Sequence, residues 1–192
     1  GRTTNGTGAS NVSQCVCGAG KVPVADASQP CECPIGTVAA GDSCVDCAAN
    51  QYGQGSLGSA SCASCPLRSV SASGSVGVGS CSCMDAIMVK VGVEQASGSG
   101  GGGGGFERCS CPLGYLLVGS SCVVCAEGTY ASLADQATCS PCPAGRTTNG
   151  TGASNVSQCV CVSGMVSSGL GSSTACICPE GYSKRASGAG CD

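Results

Sequence analysis

The stretch CVVCAEGTYASLADQATCSPCPAGRTTNGTGASNVSQCVC, from Cys122 to Cys161, contains the cysteine spacing that decides the fold. Two Cys-x-x-Cys pairs and one Cys-x-Cys pair follow one another in it, separated by small and polar residues. Its last part, Gly145 to Cys161, occurs unchanged at Gly1 to Cys17. Such a repeat indicates an array of similar units, each next to its neighbour in the chain.

The composition explains why such a chain needs cross-links. Its 192 residues include 21 Cys and 33 Gly but one Phe, four Tyr and no Trp, so large side chains cannot form an extensive core. This cysteine content is typical of a disulfide scaffold. Because a disulfide closing a loop of ~15 residues contributes roughly 3 kcal/mol in the chain-entropy model, covalent bonds can replace hydrophobic burial.

Charge and hydropathy exclude several classes of function. The net charge is −3, with 10% charged residues and no basic stripe, so no nucleic acid partner is expected. No apolar run approaches the ~20 residues that span a bilayer, so no membrane span is expected in this segment. The cysteine content favours an oxidising compartment, which predicts a secreted or cell-surface protein.

The cysteines follow an eight-residue rule of two Cys-x-Cys pairs and then two Cys-x-x-Cys pairs. This rule predicts a first module at 15–80 and a second at 81–158 that carries a Gly-rich insert at 95–105. Residues 1–14 would then end a truncated preceding loop, and 159–192 would start a third, truncated module. We interpret the chain as a cut from a longer repetitive polymer.

The loop lengths favour a serial disulfide connectivity. A Cys-x-Cys pair cannot easily bridge internally, so each close pair should end one loop and begin the next. Cys15 is then unpaired by truncation, because its expected partner precedes Gly1. An interleaved pattern, in which Cys15 pairs with Cys31, stays open. The serial arrangement predicts Cys17–Cys31, Cys33–Cys44, Cys47–Cys62, Cys65–Cys81, Cys83–Cys109, Cys111–Cys122, Cys125–Cys139, Cys142–Cys159, Cys161–Cys176 and Cys178–Cys191.

Catalytic and metal sites have weak support in the sequence. His is absent and the carboxylates are scattered, so we predict no enzyme and no catalytic or cofactor-binding residue. Cys44-x2-Cys47 with Cys62-x2-Cys65 has near-ribbon zinc spacing, as does the equivalent set at 122–142. These pairs alternate with Cys-x-Cys pairs without interruption, which favours disulfides over zinc.

Two further features concern glycans and the insert. Clustered N-glycosylation sequons in predicted surface loops favour covalent glycans at Asn5, Asn11, Asn149 and Asn155. Alternating Ile and Val predict a strand over 87–94, which leads into a flexible Gly-rich connector. We interpret the strand as a hairpin arm; the alternative is an edge strand that pairs with a neighbouring subunit.

Cys122 to Cys161 resembles the cysteine-rich repeats of ephrin-receptor-like and TNF-receptor-like ectodomains, through the pattern CxxCxxGTY…CxxCPxG…T…G…S…C. Cys111 to Cys122, and more loosely Cys178 to Cys191, resemble the C-terminal half of EGF-like modules. They lack the acidic lead-in of calcium-binding members, so no calcium is expected between modules. In its repeats and Gly/Ala/Ser-rich style the chain is similar to algal mastigoneme (flagellar hair) shaft proteins.

These features predict small disulfide-rich repeats, an elongated rod of serial disulfide-closed loops with short β-hairpins and almost no helix. We expect an extracellular structural protein, a glycosylated rod or filament whose partners are copies of itself or other chains of a fibre. The mastigoneme resemblance implies a place on cilia or flagella. The alternative is a receptor or adhesion ectodomain that binds a protein ligand; its usual exposed aromatic and Arg residues are scarce, with Arg68, Arg108 and Arg185 isolated. A zinc-structured protein is the third hypothesis.

Overall fold

The computed structural model forms two compact units, Gly1–Met84 with Lys90–Cys109, and Asp85–Val89 with Ser110–Asp192. Both units consist of short loops, each of which leaves one cysteine and returns to its disulfide partner. The residues that the structure describes are 2–4, 7, 15–18, 20–23, 31–92, 105–169, 175–185 and 190–191.

Strands of two to four residues pair with the next strand in the chain, and the described residues contain nine such two-stranded sheets. They contain no α-helix, but two 3₁₀ turns lie at Val78–Ser80 and Val156–Gln158. The strands are β1 (Arg2–Thr4), β2 (Cys15–Cys17), β3 (Thr37–Ala40), β4 (Ser43–Asp46), β5 (Gln51–Gln54), β6 (Ser61–Ser64), β7 (Ser69–Val70), β8 (Ser82–Cys83), β9 (Val89–Val91), β10 (Arg108–Ser110), β11 (Tyr115–Val118), β12 (Ser121–Val124), β13 (Thr129–Tyr130), β14 (Ser140–Pro141), β15 (Arg146–Thr148), β16 (Cys159–Cys161), β17 (Val166–Ser167) and β18 (Cys176–Ile177).

Ten disulfides close successive loops in the described part of the chain, and no two of them interleave. They join the ten pairs that the serial arrangement names, and Cys31 is bonded to Cys17. The side chain of Cys15 lies outside the described residues. The predicted fold class of small disulfide-rich repeats with short hairpins is therefore confirmed, whereas the module boundaries stay a prediction.

Sulfur atoms occupy most of the interior. The largest fully buried side chains, among the described residues, are mainly half-cystines: Cys47, Cys81, Cys109, Cys111, Cys125 and Cys159, with Thr148 and Ser110. Many apolar side chains lie on the surface instead, such as Leu133 with 68% exposure. Because so little apolar surface is buried, the disulfides carry the stability that a hydrophobic core supplies in larger domains.

The same turn opens loop after loop. After Cys33, the amide of Thr37 donates to the Pro34 carbonyl at 3.1 Å, and Gly36 between them has a φ of 97°. Such a turn requires a positive φ at its third residue. The fourth residue counted from the opening cysteine has a positive φ at Gly20, Gly36, Asn50, Arg68, Gly114, Gly128, Gly145, Gly164 and Gly181.

Asn50 occupies this position with a φ of 67°. We expect Asn50→Ala to destabilise the Cys47–Cys62 loop by about 1 kcal/mol, since an ordinary L-residue is strained there, and Asn50→Gly to cost nothing. Hydrogen exchange of the Gln51 and Cys65 amides, whose bonds flank this turn, measures the difference. Equal protection in the two variants would contradict the strained geometry.

Of the strand predicted over 87–94, only Val89–Val91 forms a strand, β9, which is hydrogen-bonded to β10; Ile87 lies in the turn that precedes it, and residues 93 and 94 lie outside the described residues. The Glu107 amide donates to the Val91 carbonyl at 2.9 Å, and the Lys90 ammonium lies 4.6 Å from the centre of the Phe106 ring. This pairing within the chain fits a hairpin arm. Residues 93–104, which include most of the Gly-rich insert, lie outside the described residues.

Candidate functional site: the junctions between loops

In the second unit, three consecutive loops meet at a junction around Gly114. The Gly114 amide donates to the Ala131 carbonyl, and the Cys125 amide donates to the Gly114 carbonyl, both at 2.9 Å. Ala131 in turn donates to Ala153 at 3.0 Å, and Gly152 donates to Cys125 at 2.8 Å. Each of these three loops is thus closed by a disulfide, and backbone hydrogen bonds fasten the three loops to one another.

The first unit contains an equivalent junction around Gly36. The Cys47 amide donates to the Gly36 carbonyl at 2.8 Å, and Gly74 donates to Cys47 at 2.9 Å. Gly53, in the place of Ala131, donates to the Ser75 carbonyl at 2.7 Å. The repeated cysteine spacing therefore corresponds to a repeated pattern of hydrogen bonds between loops.

The backbones approach so closely at both junctions that a side chain cannot fit. A Cβ atom on Gly114 would lie 2.3 Å from the Gly152 carbonyl oxygen, and one on Gly36 would lie 2.6 Å from that of Gly74. Both glycines stand in a Cys-Pro-x-Gly motif, at Cys33 and Cys111, in which proline fixes φ and glycine allows a left-handed turn. Nothing in that motif indicated which later loop would pack against them.

Asp85 connects the turn before β9 to strand β12. Its Oδ1 accepts the Ile87 amide at 2.8 Å and its Oδ2 accepts the Cys122 amide at 3.0 Å. The bond from Ile87, and then that from Cys122, lowers the pKa of the Asp85 carboxyl below its usual value. Nothing in the sequence marks this residue, since one Asp in a loop carries no pattern.

The Asp85 contact predicts a loss of stability in acid. A carboxyl whose folded pKa lies below the unfolded value of about 3.9 stabilises the fold above that pH, and the effect disappears as the pH falls through the folded pKa. The amide shift of Cys122, followed by NMR from pH 6 to pH 2, should titrate with a midpoint below the ordinary pKa of an Asp carboxyl. Asp85→Asn should remove this titration, and the control Asp42→Asn should leave it unchanged.

Ser110 is 1% exposed, and its hydroxyl has no hydrogen-bond partner among the described residues. Since an unsatisfied buried hydroxyl is costly, we expect Ser110→Ala to raise the free energy of unfolding by about 1 kcal/mol. The control is Ser69→Ala at a residue of 6% exposure; it removes a hydroxyl that donates to the Pro66 carbonyl at 2.6 Å, so it should lower stability. Urea unfolding without reductant measures both, and a loss at Ser110 would contradict this explanation.

The four cysteines of near-ribbon spacing are distributed over three disulfides. Cys44 is bonded to Cys33, Cys47 to Cys62, and Cys65 to Cys81. A disulfide sulfur carries no thiolate, which is the form that binds zinc. The described part of the chain also contains no group of three or more His, Cys, Asp or Glu residues placed to hold a metal.

The sequons of the second unit lie on the loop between β15 and β16. Asn149 and Asn155 are both exposed. Asn155 caps the 3₁₀ turn, since its Oδ1 accepts the Ser157 amide at 2.9 Å while Gln158 Oε1 accepts the Asn155 amide at 3.1 Å. Asn5 and Asn11 lie outside the described residues.

Part of the chain is similar to cysteine-rich segments of known proteins. Residues 114–159, which span the Gly114 junction, match the family described as "Tyrosine-protein kinase ephrin type A/B receptor-like". Over 50 residues, 26% of the chain, the sequence is 44% identical to thyroglobulin of Rattus norvegicus and equally to that of Mus musculus. The matched stretch spans 2% of the length of each thyroglobulin.

The disulfides, the junctions and these similarities define a cysteine-rich repeat segment of the extracellular type. Among the described residues, no helix is long and apolar enough to cross a bilayer. The family match and the thyroglobulin similarity cover about a quarter of the chain each, and the activities of the proteins concerned belong to those proteins.

Proposed function

We propose that this chain is part of an extracellular structural protein, a glycosylated and disulfide-stabilised rod or filament of the flagellar-hair (mastigoneme) kind. Its partners are copies of itself or other chains of a fibre, at the surface of a cell or of its cilia. It has no enzymatic activity and needs no cofactor. One observation carries the proposal: successive loops are each closed by a disulfide, and at the two junctions they are fastened to one another through backbone hydrogen bonds.

This arrangement suits a load-bearing role. Under tension, force passes from one disulfide to the next through the one or two residues between close cysteines. The disulfide between Cys142 and Cys159 bridges a sequence separation of 17 residues. If that bond opened, the extended chain would lengthen by roughly 50 Å. An oxidised chain can therefore extend little under load, and it exposes few segments to proteases.

Single-molecule pulling on the full chain between terminal handles tests the mechanical role. Without reductant we expect no release of loop length, and with a thiol reductant we expect steps that match the disulfide-closed loops. Electron microscopy of the oxidised protein, concentrated at neutral pH, tests assembly. Full extension without reductant would contradict the load-bearing role, and a persistent monomer would contradict self-assembly into a filament.

A receptor or adhesion ectodomain is the second candidate, because the matched family is receptor-like and covers residues 114–159. Against it, the Arg68 side chain is used internally, where Nη1 donates to the Cys109 carbonyl at 3.2 Å. If the immobilised oxidised chain captured one specific protein and did not assemble with itself, the receptor hypothesis would be favoured. Free thiols together with bound zinc, found by alkylation and metal analysis, would favour the zinc-structured hypothesis over both.

A further inference from the structure

We propose that Asn149 carries an N-linked glycan whose innermost sugar lies in a depression beside it, and that this sugar stabilises the loop between β15 and β16. The inference deepens the proposed function, on which it rests, because glycosylation requires passage through the secretory pathway. It distinguishes Asn149 from Asn155, whose side chain serves as a cap. The acceptor sequon is Asn149-Gly150-Thr151.

The depression is open to the surface and measures about 260 Å³. Its floor is held in place by Thr148, which is 2% exposed. The Thr148 hydroxyl donates to the Gly150 carbonyl at 2.6 Å and accepts the Gly128 amide at 2.9 Å. The depression therefore exists before any sugar is attached. It is lined by Thr148, Asn149, Gly150, Thr151, Ala153 and Gln158.

The lining offers both polar and apolar contacts to a sugar. Gln158 uses Oε1 to accept the amides of Ser154 at 2.6 Å and Asn155 at 3.1 Å, which leaves its Nε2 donors for a sugar oxygen. Thr151 adds an exposed hydroxyl, and the methyl group of Ala153 adds an apolar surface. An acetamido sugar, with hydroxyls and one methyl group, matches this mixture.

Asn149 and Asn155 differ in what their side chains already do. Within the described residues no hydrogen bond involves the Asn149 side chain, whereas Asn155 Oδ1 is occupied by the Ser157 amide. A sugar on Asn149 can therefore settle into the depression without displacing an existing contact. Asn155 is not one of the residues that line the depression.

The modification is a group transfer from a lipid-pyrophosphate-linked oligosaccharide, the donor of the secretory pathway. Nδ2 of Asn149 forms a bond to the anomeric carbon of the first sugar and loses one proton to a base. The bond between that carbon and the pyrophosphate oxygen breaks, and the lipid pyrophosphate leaves with the electron pair. No oxidant or reductant takes part.

The test uses the full chain secreted from a eukaryotic host. After reduction and alkylation, trypsin separates the peptides 3–21 and 147–184, so the two copies of the repeated sequence are distinguished by mass. We expect an oligosaccharide on Asn149. Enzymatic removal of the glycans should lower the melting temperature by about 2 to 4 °C. The matched variants are Thr151→Ser, which keeps the sequon, and Thr151→Ala, which removes it.

The variants distinguish a sugar that packs into the depression from a glycan that is only attached to the chain. Thr151→Ala and Asn149→Gln should both have the lower melting temperature and show a smaller change on deglycosylation, whereas Thr151→Ser and Asn155→Gln should keep the larger change. An unmodified Asn149, or a glycan whose removal leaves the melting temperature unchanged, would overturn the inference. If the oxidised chain resists pulling and assembles while Asn149 is bare, only this inference fails and the proposed function stands.

Discussion

Reduction of the disulfides should abolish the folded structure of the chain. Ten bonds close loops with sequence separations from 11 to 26 residues, and each contributes about 2–4 kcal/mol. Their combined contribution exceeds the ~5–15 kcal/mol of net stability in a typical folded domain. Since few large apolar side chains are buried, the reduced chain has no core to hold it together. Hydrogen exchange before and after reduction and alkylation measures the loss.

Removal of the single disulfide between Cys125 and Cys139 tests the same prediction at one junction. Replacing both cysteines by Ser should cost about 3 kcal/mol and remove the protection of the Ala131 and Gly152 amides, which belong to the same junction. The control replaces Cys178 and Cys191, which leaves that junction untouched. If the reduced chain or the first variant kept its junction amides protected, the disulfides would not be what stabilises the fold.

Gly114→Ala should strongly destabilise the second unit. The new Cβ would lie 2.3 Å from the Gly152 carbonyl oxygen, on a backbone with a φ of 83°. Gly152 cannot move away easily because its amide is bonded to the Cys125 carbonyl. Overpacking and left-handed strain together should cost at least about 3 kcal/mol, measured by urea unfolding without reductant.

Gly119→Ala is the matched control for this effect. Gly119 has a φ of 61°, in the same left-handed region, but a Cβ there would have no atom within 4 Å. Its substitution should therefore cost only the backbone strain of about 1 kcal/mol. Equal losses in the two variants would mean that the close approach at the junction contributes nothing.

Much of the fold follows from the cysteines alone. A Cys-x-Cys pair cannot easily close on itself, and the sequence has little else to bury, so successive loops closed by disulfides are the arrangement that the composition favours. The Cys-Pro-x-Gly motif favours a turn with a left-handed glycine, and Gly36 and Gly114 adopt that conformation. The left-handed Asn50 and Arg68 were missed, because each opens its loop without that glycine.

The functional site was less predictable. The cysteine spacing from Cys44 to Cys65 fits either a zinc site or disulfides. Only the neighbouring Cys-x-Cys pairs favour disulfides. Asn149 and Asn155 carry equivalent sequons, yet one lines a depression and the other caps a 3₁₀ turn. A sequon identifies an acceptor Asn but does not indicate how the folded loop uses its side chain.

The sequence by itself determined the succession of small closed loops, because cysteine spacing and disulfide stereochemistry leave few arrangements for a chain with so little to bury. The tertiary structure alone decided which loops touch, such as Gly114 against Gly152, and which amides Asp85 accepts. Those contacts are made to backbone N–H and C=O groups. Nearly every residue carries both groups, so no side chain in the sequence marks the partner.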